Sequence, residues 1–371
     1  MTVLTPELLE RIRSRAADYD SRNAFFAEDL AELKAAGYLA PRPLLEAVRD
    51  QRMLAAYAPA TALGINMHLV WTGVARVLSE RGDHSLDWVL ADAAAGELFA
   101  FGNSEPGNDL VLFDSLTKAE PGKDGAYAFT GTKIFTSLSP AWTRLGIFGR
   151  DDSDPAAPKL VHGFITRETA GWKSLDDWDT LGMRATQSDT TVLDGAVVPA
   201  ERIARILPTG PSADPFIFGI FANFLLLIAS VYAGIADRAL ELGVEAVNRR
   251  TSLKNGGARY SQDPDMRWRV ADAALALDAL APQIETLAAD VDSLVDHGAS
   301  WFRRLTGVKH RATETARYVV DQSARVAGGG GYRTSSELAR LQRDVLAGVY
   351  HPSDTESVHS TVATNLLGPL A

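Results

Sequence analysis

The sequence of 371 residues contains no cysteine. This excludes disulfide bonds, thiolate nucleophiles, and zinc or iron–sulfur sites that are ligated by cysteine. Basic residues are also fewer than acidic ones. The chain has 37 Lys and Arg residues and 47 Asp and Glu residues, which gives a formal net charge of −10. A nucleic-acid partner requires a basic face that neutralises phosphates, so this balance argues against one.

Several common catalytic signatures are missing as well. There is no G-x-G-x-x-G fingerprint, no Walker A lysine, no G-x-S-x-G elbow and no H-E-x-x-H zinc pair. We therefore expect neither a Rossmann nucleotide site nor a metal site. The chain opens with Met1-Thr-Val-Leu-Thr-Pro-Glu and passes at once into a charged helical pattern, which predicts no signal peptide and a cytoplasmic location.

One long apolar run has the length of a membrane span. Residues 216–236 contain 21 uncharged residues, which is the nominal length for crossing a bilayer. Asn223, Ser230 and Tyr232 interrupt this run, and Asp214 rather than a basic residue precedes it. The sequence therefore predicts a helix in the middle of a bundle and no membrane span, and such a helix must be covered on every face.

Three segments differ in their periodicity. Residues 1–100 show helical spacing, beginning with Pro6 after the N-cap residue Thr5. Residues 101–207 shorten to a period of two with Gly, Pro and Asp between the runs, which predicts a mostly antiparallel β domain. Residues 208–371 return to helical patterns typical of a four-helix bundle. Further helices are expected at 233–247, 265–289 and 312–325. The predicted fold class is α+β and mainly α.

Within the β segment, residues 101–139 carry the features most suited to chemistry. Residues 127–130 and 133–136 are β-branched and aromatic runs joined by Gly131, which predicts a hairpin or two adjacent strands. The polar turn at residues 104–109 can point backbone N–H groups at a ligand.

Three further features each have a structural and a functional interpretation. His68 lies in an apolar helix and is either a core histidine or a group that faces a ligand. The basic cluster at residues 249–254 is either a helix C-terminal turn or a phosphate contact. Four successive glycines at residues 328–331 can present N–H groups to an anion, which by itself is a weak signal.

Four motifs in order resemble those of the acyl-CoA dehydrogenase superfamily of flavoproteins, over nearly the whole chain. The family patterns are T-E-P-G-x-G-S-D, G-x-K-x-x-I-T-N, L-G-x-R-x-S followed by V-P, and G-G-x-G-Y…R…R-D. The matching segments here are Ser104-Glu-Pro-Gly107, about two residues shorter than the family's turn, Gly131-Thr-Lys-Ile-Phe-Thr-Ser137, Leu181-Gly-Met-Arg-Ala-Thr186 with Val198-Pro-Ala-Glu-Arg202, and Gly328-Gly-Gly-Gly-Tyr332 with Arg340 and Arg343-Asp344.

The resemblance implies a flavin, FAD or FMN, between the β domain and the bundle. Thr136 and Ser137 are expected near the reactive edge of its ring and Ser104 near its polar edge. Residues expected at the cofactor's diphosphate are Arg249 and Thr251, and, from a neighbouring subunit, Gly328, Gly329 and Gly331 of the glycine turn. Residues expected at the substrate are Asn66, Phe221 and Phe224. A homo-oligomer, a dimer or a tetramer built as a dimer of dimers, is implied.

The sequence departs from the dehydrogenase pattern where that reaction needs its base. The family's catalytic Glu falls on Pro352, which cannot take a proton, and residues 216–236 contain no Glu or Asp. The Asp and Arg that serve an acyl-CoA ligand fall on Ala222 and Leu225. His351 matches the tail histidine of relatives that oxygenate small molecules with reduced flavin and O2. A histidine can donate a hydrogen bond to a developing oxygen anion, whereas a carboxylate would repel it.

Three hypotheses follow from these motifs. The first is a reduced-flavin-dependent monooxygenase with His351 and His68 as catalytic residues, fed by a separate flavin reductase and acting on a hydrophobic small molecule. The second is an FAD-dependent acyl-thioester dehydrogenase that uses Asp354 or Glu356 as its base, with an electron-transfer flavoprotein as partner. The third is a homologue that binds flavin or an acyl ligand without turnover. A helix-terminal His351 with no catalytic duty also remains open.

Overall fold

The computed structural model describes residues 2–368 and residue 370. Helices form both ends of the chain and a mixed sheet lies between them, so the predicted fold class, mainly helical with a central β region, is confirmed. The first helix begins as the sequence predicts, with the Thr5 hydroxyl accepting the N–H of Leu8 at 3.3 Å and Pro6 at the first helical position. The helices that precede the sheet are α1 (Pro6–Arg22), α2 (Ala27–Ala35), α3 (Leu44–Ala55), α4 (Pro59–Ser79) and α5 (Asp87–Ala94).

The sheet contains eight strands. They are β1 (Phe99–Gly102), β2 (Lys118–Pro121), β3 (Tyr127–Thr136), β4 (Arg144–Asp151), β5 (Lys159–Thr166), β6 (Trp172–Ser174), β7 (Asp189–Val198) and β8 (Ile203–Pro208). Their order is β6-β7-β3-β2-β4-β5-β8, with β1 beside β4. Most neighbours are antiparallel as expected, but β1 and β2 each run parallel to β4. The sheet is therefore mixed.

The hairpin predicted around Gly131 is wrong, because β3 continues through this residue without a turn. The glycine serves a different purpose. A Cβ atom at Gly131 would lie 2.4 Å from Oγ1 of Thr117, which precedes β2. Glycine inside a strand often marks a place where another segment comes very close, and that is its role here.

The C-terminal part consists of long helices with one short hairpin. The helices are α6 (Pro215–Arg249), α7 (Pro264–Asp278), α8 (Leu280–Asp292), α9 (Ser300–Ala327), α10 (Glu337–Asp344) and α11 (Thr355–Leu367), and the hairpin strands are β9 (Thr251–Ser252) and β10 (Ala258–Arg259). The helix expected at 233–247 is the second half of α6, and the one expected at 265–289 is divided into α7 and α8. The helix expected at 312–325 lies within α9.

Helix α6 lies at the centre of this arrangement. It is long and apolar enough to cross a membrane, but 83% of its most apolar window is buried inside the protein. Helices α3, α4, α8 and α9 pack around it. The Asp214 carboxylate accepts the N–H of Phe216 at 2.8 Å and so begins the helix. Because protein covers nearly every face, α6 is a core helix, as the sequence predicts.

One junction joins the N-terminal helices, the sheet region and the bundle. The carboxylate of Asp344 on α10 accepts the backbone N–H of Met183 at 2.6 Å. Its neighbour Arg343 forms two hydrogen bonds with Asp20 of α1, one of them at 2.9 Å. A Cβ atom at Gly182 would lie 2.3 Å from the carbonyl oxygen of Arg343. The segments that match L-G-x-R and R-D are therefore in direct contact.

Asp344 should make the stability of this junction depend on pH. Burial raises the pKa of Asp344 from its ordinary value to about 6, although Arg340 and the Met183 N–H oppose the shift. Since the folded protein holds this proton more tightly, the resulting stabilisation is complete below about pH 4 and is lost as pH rises through about 6. We expect Asp344→Asn to remove this loss, which is on the order of 3 kcal/mol at most.

Thermal unfolding of both proteins between pH 4 and pH 7 measures the effect. The Tm of Asp344→Asn relative to the wild type should rise across this interval. Asp109→Asn, at an exposed turn position, is the matched control and should follow the wild type. Parallel curves for wild type and Asp344→Asn would show that Asp344 does not titrate in this range.

Candidate functional site

The turn at residues 104–108 is anchored by the buried carboxylate of Glu105. This carboxylate accepts the ammonium group of Lys133 at 2.7 Å, the Ser115 hydroxyl at 2.7 Å, and the N–H groups of Leu116 and Thr117 at 2.8 and 3.0 Å. The Asn108 amide donates to it as well. Two motifs that are separate in the sequence, the turn and the strand β3, are thus joined by one ion pair.

Both members of this pair carry their charge at neutral pH. Burial acts to raise the pKa of Glu105, but the Lys133 ammonium and the hydrogen bonds outweigh it and hold the pKa at about 2. Burial lowers the pKa of Lys133 to about 8, with Glu105 opposing the shift. The ammonium also donates to the carbonyl of Phe148 at 2.7 Å. Glu105 therefore holds the turn in place and is not free to act as a base.

Asn103 lies directly before this turn and was not among the residues predicted from the sequence. The side chain is 3% exposed, yet neither its Oδ1 nor its Nδ2 has a hydrogen-bond partner among the described residues. Buried amides are normally paired, so an amide with both atoms free indicates a group that the protein alone does not supply. Ser104 follows, half-buried, and its carbonyl accepts the N–H of Ile134 on β3 at 2.9 Å.

An aromatic wall faces the end of β1. Phe101 stacks on Phe224 of α6 with ring centroids 5.9 Å apart. Phe221, one turn earlier on α6, lies 6.2 Å from Phe113 and 5.2 Å from Phe302 of α9. These five rings are only partly buried. Two of the predicted substrate contacts, Phe221 and Phe224, thus lie on one wall, and a flat aromatic ligand suits such a surface beside the free amide of Asn103.

The structure does not place the side chains of Thr136 and Ser137 as expected for contacts with the edge of a flavin ring. Thr136 is fully buried and its Oγ1 accepts the hydroxyl of Thr191 at 3.2 Å. The Ser137 hydroxyl pairs with that of Ser188 at 2.8 Å. A register shift at the end of β3 and a positive φ of 58° at Phe135 turn Phe135 outward, so these hydroxyls point into the protein. A direct ligand contact by the Thr136 side chain is therefore wrong.

The two segments predicted at a diphosphate are neighbours within one chain. Arg249 and Thr251 are exposed where α6 ends and β9 begins. Between them, Arg250 donates to the carbonyl of Val326 at 2.7 Å and lies so close to Gly328 that a Cβ there would be 2.8 Å from its Nη1. The φ of Gly328 is +67°, a conformation that favours glycine.

The members of the glycine turn differ in their surroundings. Gly329 is exposed, and a Cβ atom on it would meet nothing within 4 Å. Gly331 is instead buried against Ala327 and Leu338, each 3.4 Å from a Cβ built on it. Only the middle of the turn, Gly329 and Gly330, thus offers open space beside a basic segment.

His68 is a structural residue, and its predicted catalytic role is wrong. It is fully buried, its Nε2 lies 2.8 Å from the carbonyl of Leu39, and its Nδ1 accepts the N–H of Phe99 at 3.2 Å. Both nitrogens are therefore used, and burial lowers the pKa of His68 to about 4. Asn66 is also fully buried, with its Oδ1 accepting from Gln51, but its Nδ2 has no partner among the described residues, so the predicted substrate contact stays a prediction.

His351 has a different environment. The ring is half-buried and its Nε2 lies 2.9 Å from the hydroxyl of Tyr232 on α6. The ammonium of Lys309 on α9 donates to the carbonyls of Gly348, His351 and Ser353 at 3.0, 2.7 and 2.9 Å. Burial, and then the charge of Lys309, lower the pKa of His351 to about 3. His351 is therefore an uncharged imidazole at neutral pH.

The aromatic wall and His351 share one face of α6. Phe221 and Tyr232 are separated by eleven residues, which is about three helical turns, so their side chains leave the helix in the same direction about 16 Å apart. The two carboxylates that follow His351 in the sequence are Asp354 and Glu356, and neither is placed as a free base beside it. Asp354 accepts the N–H of Ser357 at 2.8 Å as the cap of α11, and Glu356 is exposed.

Comparison with known proteins gives a consistent result. Residues 226–353 match the model of the acyl-CoA dehydrogenase C-terminal domain. YdbM of Bacillus subtilis (strain 168), which is named as an acyl-CoA dehydrogenase, is 26% identical, and the match covers 96% of this chain and 94% of that protein.

Two other relatives are named for different reactions and match over less of their length. The amino sugar nitrososynthase DnmZ of Streptomyces peucetius is 29% identical over 64% of this chain and 58% of that protein. The dibenzothiophene monooxygenase of Rhodococcus erythropolis is 29% identical over 71% of this chain and 64% of that protein.

Solved structures share the fold over nearly the whole chain. A nitrososynthase from Micromonospora carbonacea var. africana has a TM-score of 0.84 at 22% identity and covers 100% of both chains. FMN-bound TdsC from Paenibacillus sp. A11-2 has a TM-score of 0.83 at 19% identity, covering 98% of this chain and 96% of the other. Butyryl-CoA dehydrogenase from Megasphaera elsdenii has a TM-score of 0.84 at 18% identity, with 98% and 99% coverage.

Breaking the ion pair beneath the turn should be costly. Lys133→Met leaves the Glu105 carboxylate buried without its cation, and we expect a loss of about 3–5 kcal/mol in the free energy of unfolding. The double variant Lys133→Met/Glu105→Gln should recover part of this loss, because no uncompensated charge remains. Chemical denaturation measures both, with Lys118→Met, an exposed lysine on β2, as the control. A loss below about 1 kcal/mol in the single variant would contradict the assigned role.

Proposed function

We propose that the chain is a flavoprotein of the acyl-CoA dehydrogenase superfamily, whose C-terminal domain model matches residues 226–353, and that it is a reduced-flavin- and O2-dependent monooxygenase acting on a hydrophobic small molecule. In such a reaction one oxygen atom of O2 enters the substrate and the other leaves as water. Its relatives include monooxygenases, nitrososynthases and a protein named as an acyl-CoA dehydrogenase, all of them oxidoreductases.

The observation that carries the proposal is the histidine at position 351, whose Nε2 meets the hydroxyl of Tyr232 and which is followed by a proline where a dehydrogenase has its carboxylate. Desaturation of an acyl thioester requires a carboxylate that removes an α-proton. Here the position of that carboxylate is Pro352, its neighbour His351 is neutral, and Asp354 is engaged in capping α11. A neutral imidazole can donate a hydrogen bond to an oxygen that gains negative charge, which suits oxygen chemistry.

The residues present fit a flavin as the cofactor. We propose that the free amide of Asn103, the anchored turn at Ser104 and the aromatic wall hold its ring, while Arg249 and Thr251, with Gly328 and Gly329 of a neighbouring subunit, lie near its phosphate end. Reduced flavin, when bound, supplies the two electrons that activate O2. TdsC is a relative in fold whose solved structure contains FMN, and FAD remains an alternative.

The protein's own residues then exclude water and orient the substrate. The partly buried rings of Phe221 and Phe224 offer an apolar surface for a hydrophobic or aromatic substrate. We further propose a cytoplasmic homo-oligomer, a dimer or tetramer, that receives reduced flavin from a separate reductase. No membrane or nucleic-acid partner is part of this proposal.

A second candidate is an FAD-dependent acyl-thioester dehydrogenase with a non-standard base. The match to YdbM over nearly the full length of both proteins favours it. It would require Asp354 or Glu356 to leave its present place, because one caps a helix and the other is exposed. The third hypothesis is a homologue that binds flavin or an acyl ligand without turnover, and no observation described above favours it.

The visible spectrum and flavin content of the purified protein, followed by anaerobic addition of a panel of acyl-CoAs, separate the first two candidates. For a monooxygenase we expect little bound flavin, no bleaching by any acyl-CoA, and O2 consumption once reduced FMN or FAD is supplied. Tightly bound FAD that one acyl-CoA bleaches without O2 would overturn the proposal in favour of the dehydrogenase.

His351→Ala provides a sharper test within the monooxygenase proposal. Loss of the donor should lower the product formed per O2 at least about tenfold and release hydrogen peroxide instead, while flavin affinity stays unchanged. Product yield and peroxide are measured together in the same reaction. His359→Ala, an exposed histidine on α11, is the matched control and should behave as the wild type. If His351→Ala forms as much product per O2 as the wild type, His351 takes no part in the mechanism.

A further inference from the structure

The two ring nitrogens of His351 have different surroundings. Nε2 lies 2.9 Å from the hydroxyl of Tyr232, and this tyrosine is fully buried. Nδ1 has no hydrogen-bond partner among the described residues, and it is not one of the buried polar atoms that are closed off from solvent. One nitrogen therefore faces the protein and the other keeps some exposure to solvent.

The buried tyrosine decides which nitrogen carries the proton. His351 is the only hydrogen-bond partner of the Tyr232 hydroxyl in the described part of the chain. If Nε2–H donated to the phenol oxygen, the phenol hydrogen would have no acceptor in a fully buried place, which costs about 1–3 kcal/mol. If the phenol donates to Nε2, both groups are satisfied and the ring hydrogen must lie on Nδ1.

The surrounding charges support an uncharged ring and a protonated phenol. Burial, with the charge of Asp344, raises the pKa of Tyr232 well above its ordinary value, so the phenol keeps its hydrogen. The ammonium of Lys309 disfavours a second positive charge on His351. Asp354 interacts with Lys309 rather than with the ring. The neutral imidazole of His351 thus carries a single N–H hydrogen, on either Nδ1 or Nε2.

Lys309 fixes the backbone that carries this ring. It is 1% exposed, and its three hydrogen bonds end on carbonyls from Gly348 to Ser353, including that of His351 itself. A ring held by Tyr232 at one nitrogen and by Lys309 at its own backbone has little freedom to rotate. Rotation by half a turn about its χ2 bond would exchange the environments of the ring atoms.

We propose that Tyr232 is a positioning residue whose hydroxyl fixes His351 as the neutral Nδ1–H tautomer, so that the ring offers a single hydrogen-bond donor on its open side. The ligand class that such a donor takes is an oxygen acceptor that is anionic or becomes so. The tautomer follows from the geometry alone, whereas its use in oxygen chemistry rests on the proposed function.

His68 supplies an internal reference for the opposite tautomer. Its Nε2 faces a carbonyl oxygen, which can only accept, and its Nδ1 accepts a backbone N–H. His68 must therefore carry its hydrogen on Nε2. The same protein is thus expected to contain two neutral histidines of opposite tautomer.

Histidine-labelled protein studied by 15N and 13C NMR at neutral pH reports the tautomer without any cofactor. We expect an Nδ1–H signal that disappears in His351→Ala and an Nε2–H signal that persists and belongs to His68. In Tyr232→Phe, which keeps the ring and removes only the hydroxyl, the His351 signal should move toward the Nε2–H form. Tyr350→Phe, at an exposed position, should leave it unchanged.

Each outcome of the NMR experiment either supports or overturns the proposed tautomer of His351. An Nε2–H form of His351 in the wild type, or an unchanged Nδ1–H form in folded Tyr232→Phe, would overturn the proposal. If Tyr232→Phe does not fold, the wild-type tautomer alone is decisive, because the opposite arrangement predicts the opposite spectrum.

A second readout links the tautomer to turnover. With reduced flavin and O2, Tyr232→Phe should form several-fold less product per O2 than the wild type at unchanged flavin affinity. If Tyr232→Phe forms as much product per O2 as the wild type, the role of Tyr232 is structural only. If the wild type consumes no O2, the proposed function fails while the NMR result still stands, so the two failures are distinguishable.

Discussion

The ion pair between Glu105 and Lys133 is the constraint on which the candidate site depends. Burying two charges is costly, and the cost is met only when geometry and further hydrogen bonds are complete. Here the carboxylate has five donors and the ammonium has a carbonyl besides its partner. This fixes the turn against β3, and with it the free amide of Asn103. The position of this unpaired amide is thus set by a charge pair that lies beneath the turn.

Helix α6 shows why a core element can also organise a site. Because it is covered on almost every face, it cannot shift without disturbing helices on several sides. It carries Phe221 near one end of the site and Tyr232 near the other, on one face and at a fixed rise. The distance between Phe221 and Tyr232, the partner of His351, is therefore a property of one rigid helix and does not depend on loop conformations.

The segments of the fold could be predicted from periodicity, but the roles of single side chains could not. The change from helical to alternating patterns near residue 100 is visible in the sequence, and the sheet begins at Phe99. Gly131 was misread because a glycine for a turn and a glycine for close packing look the same. His68 and His351 are likewise one residue type, and only their partners show that one is structural. Asn103 gave no signal, since an unpaired amide is recognised only among its neighbours.

The clamp formed by Lys309 has an evolutionary consequence. Its three bonds end on backbone carbonyls, and every residue type provides such a carbonyl. The segment from Gly348 to Ser353 is therefore held in place without regard to the side chains it carries. A histidine, a proline or a carboxylic acid can occupy positions 351 and 352 on the same anchored backbone. A fold with such an anchor can exchange a proton-abstracting group for a hydrogen-bond donor by substitution alone, and so change its chemistry while its architecture stays the same.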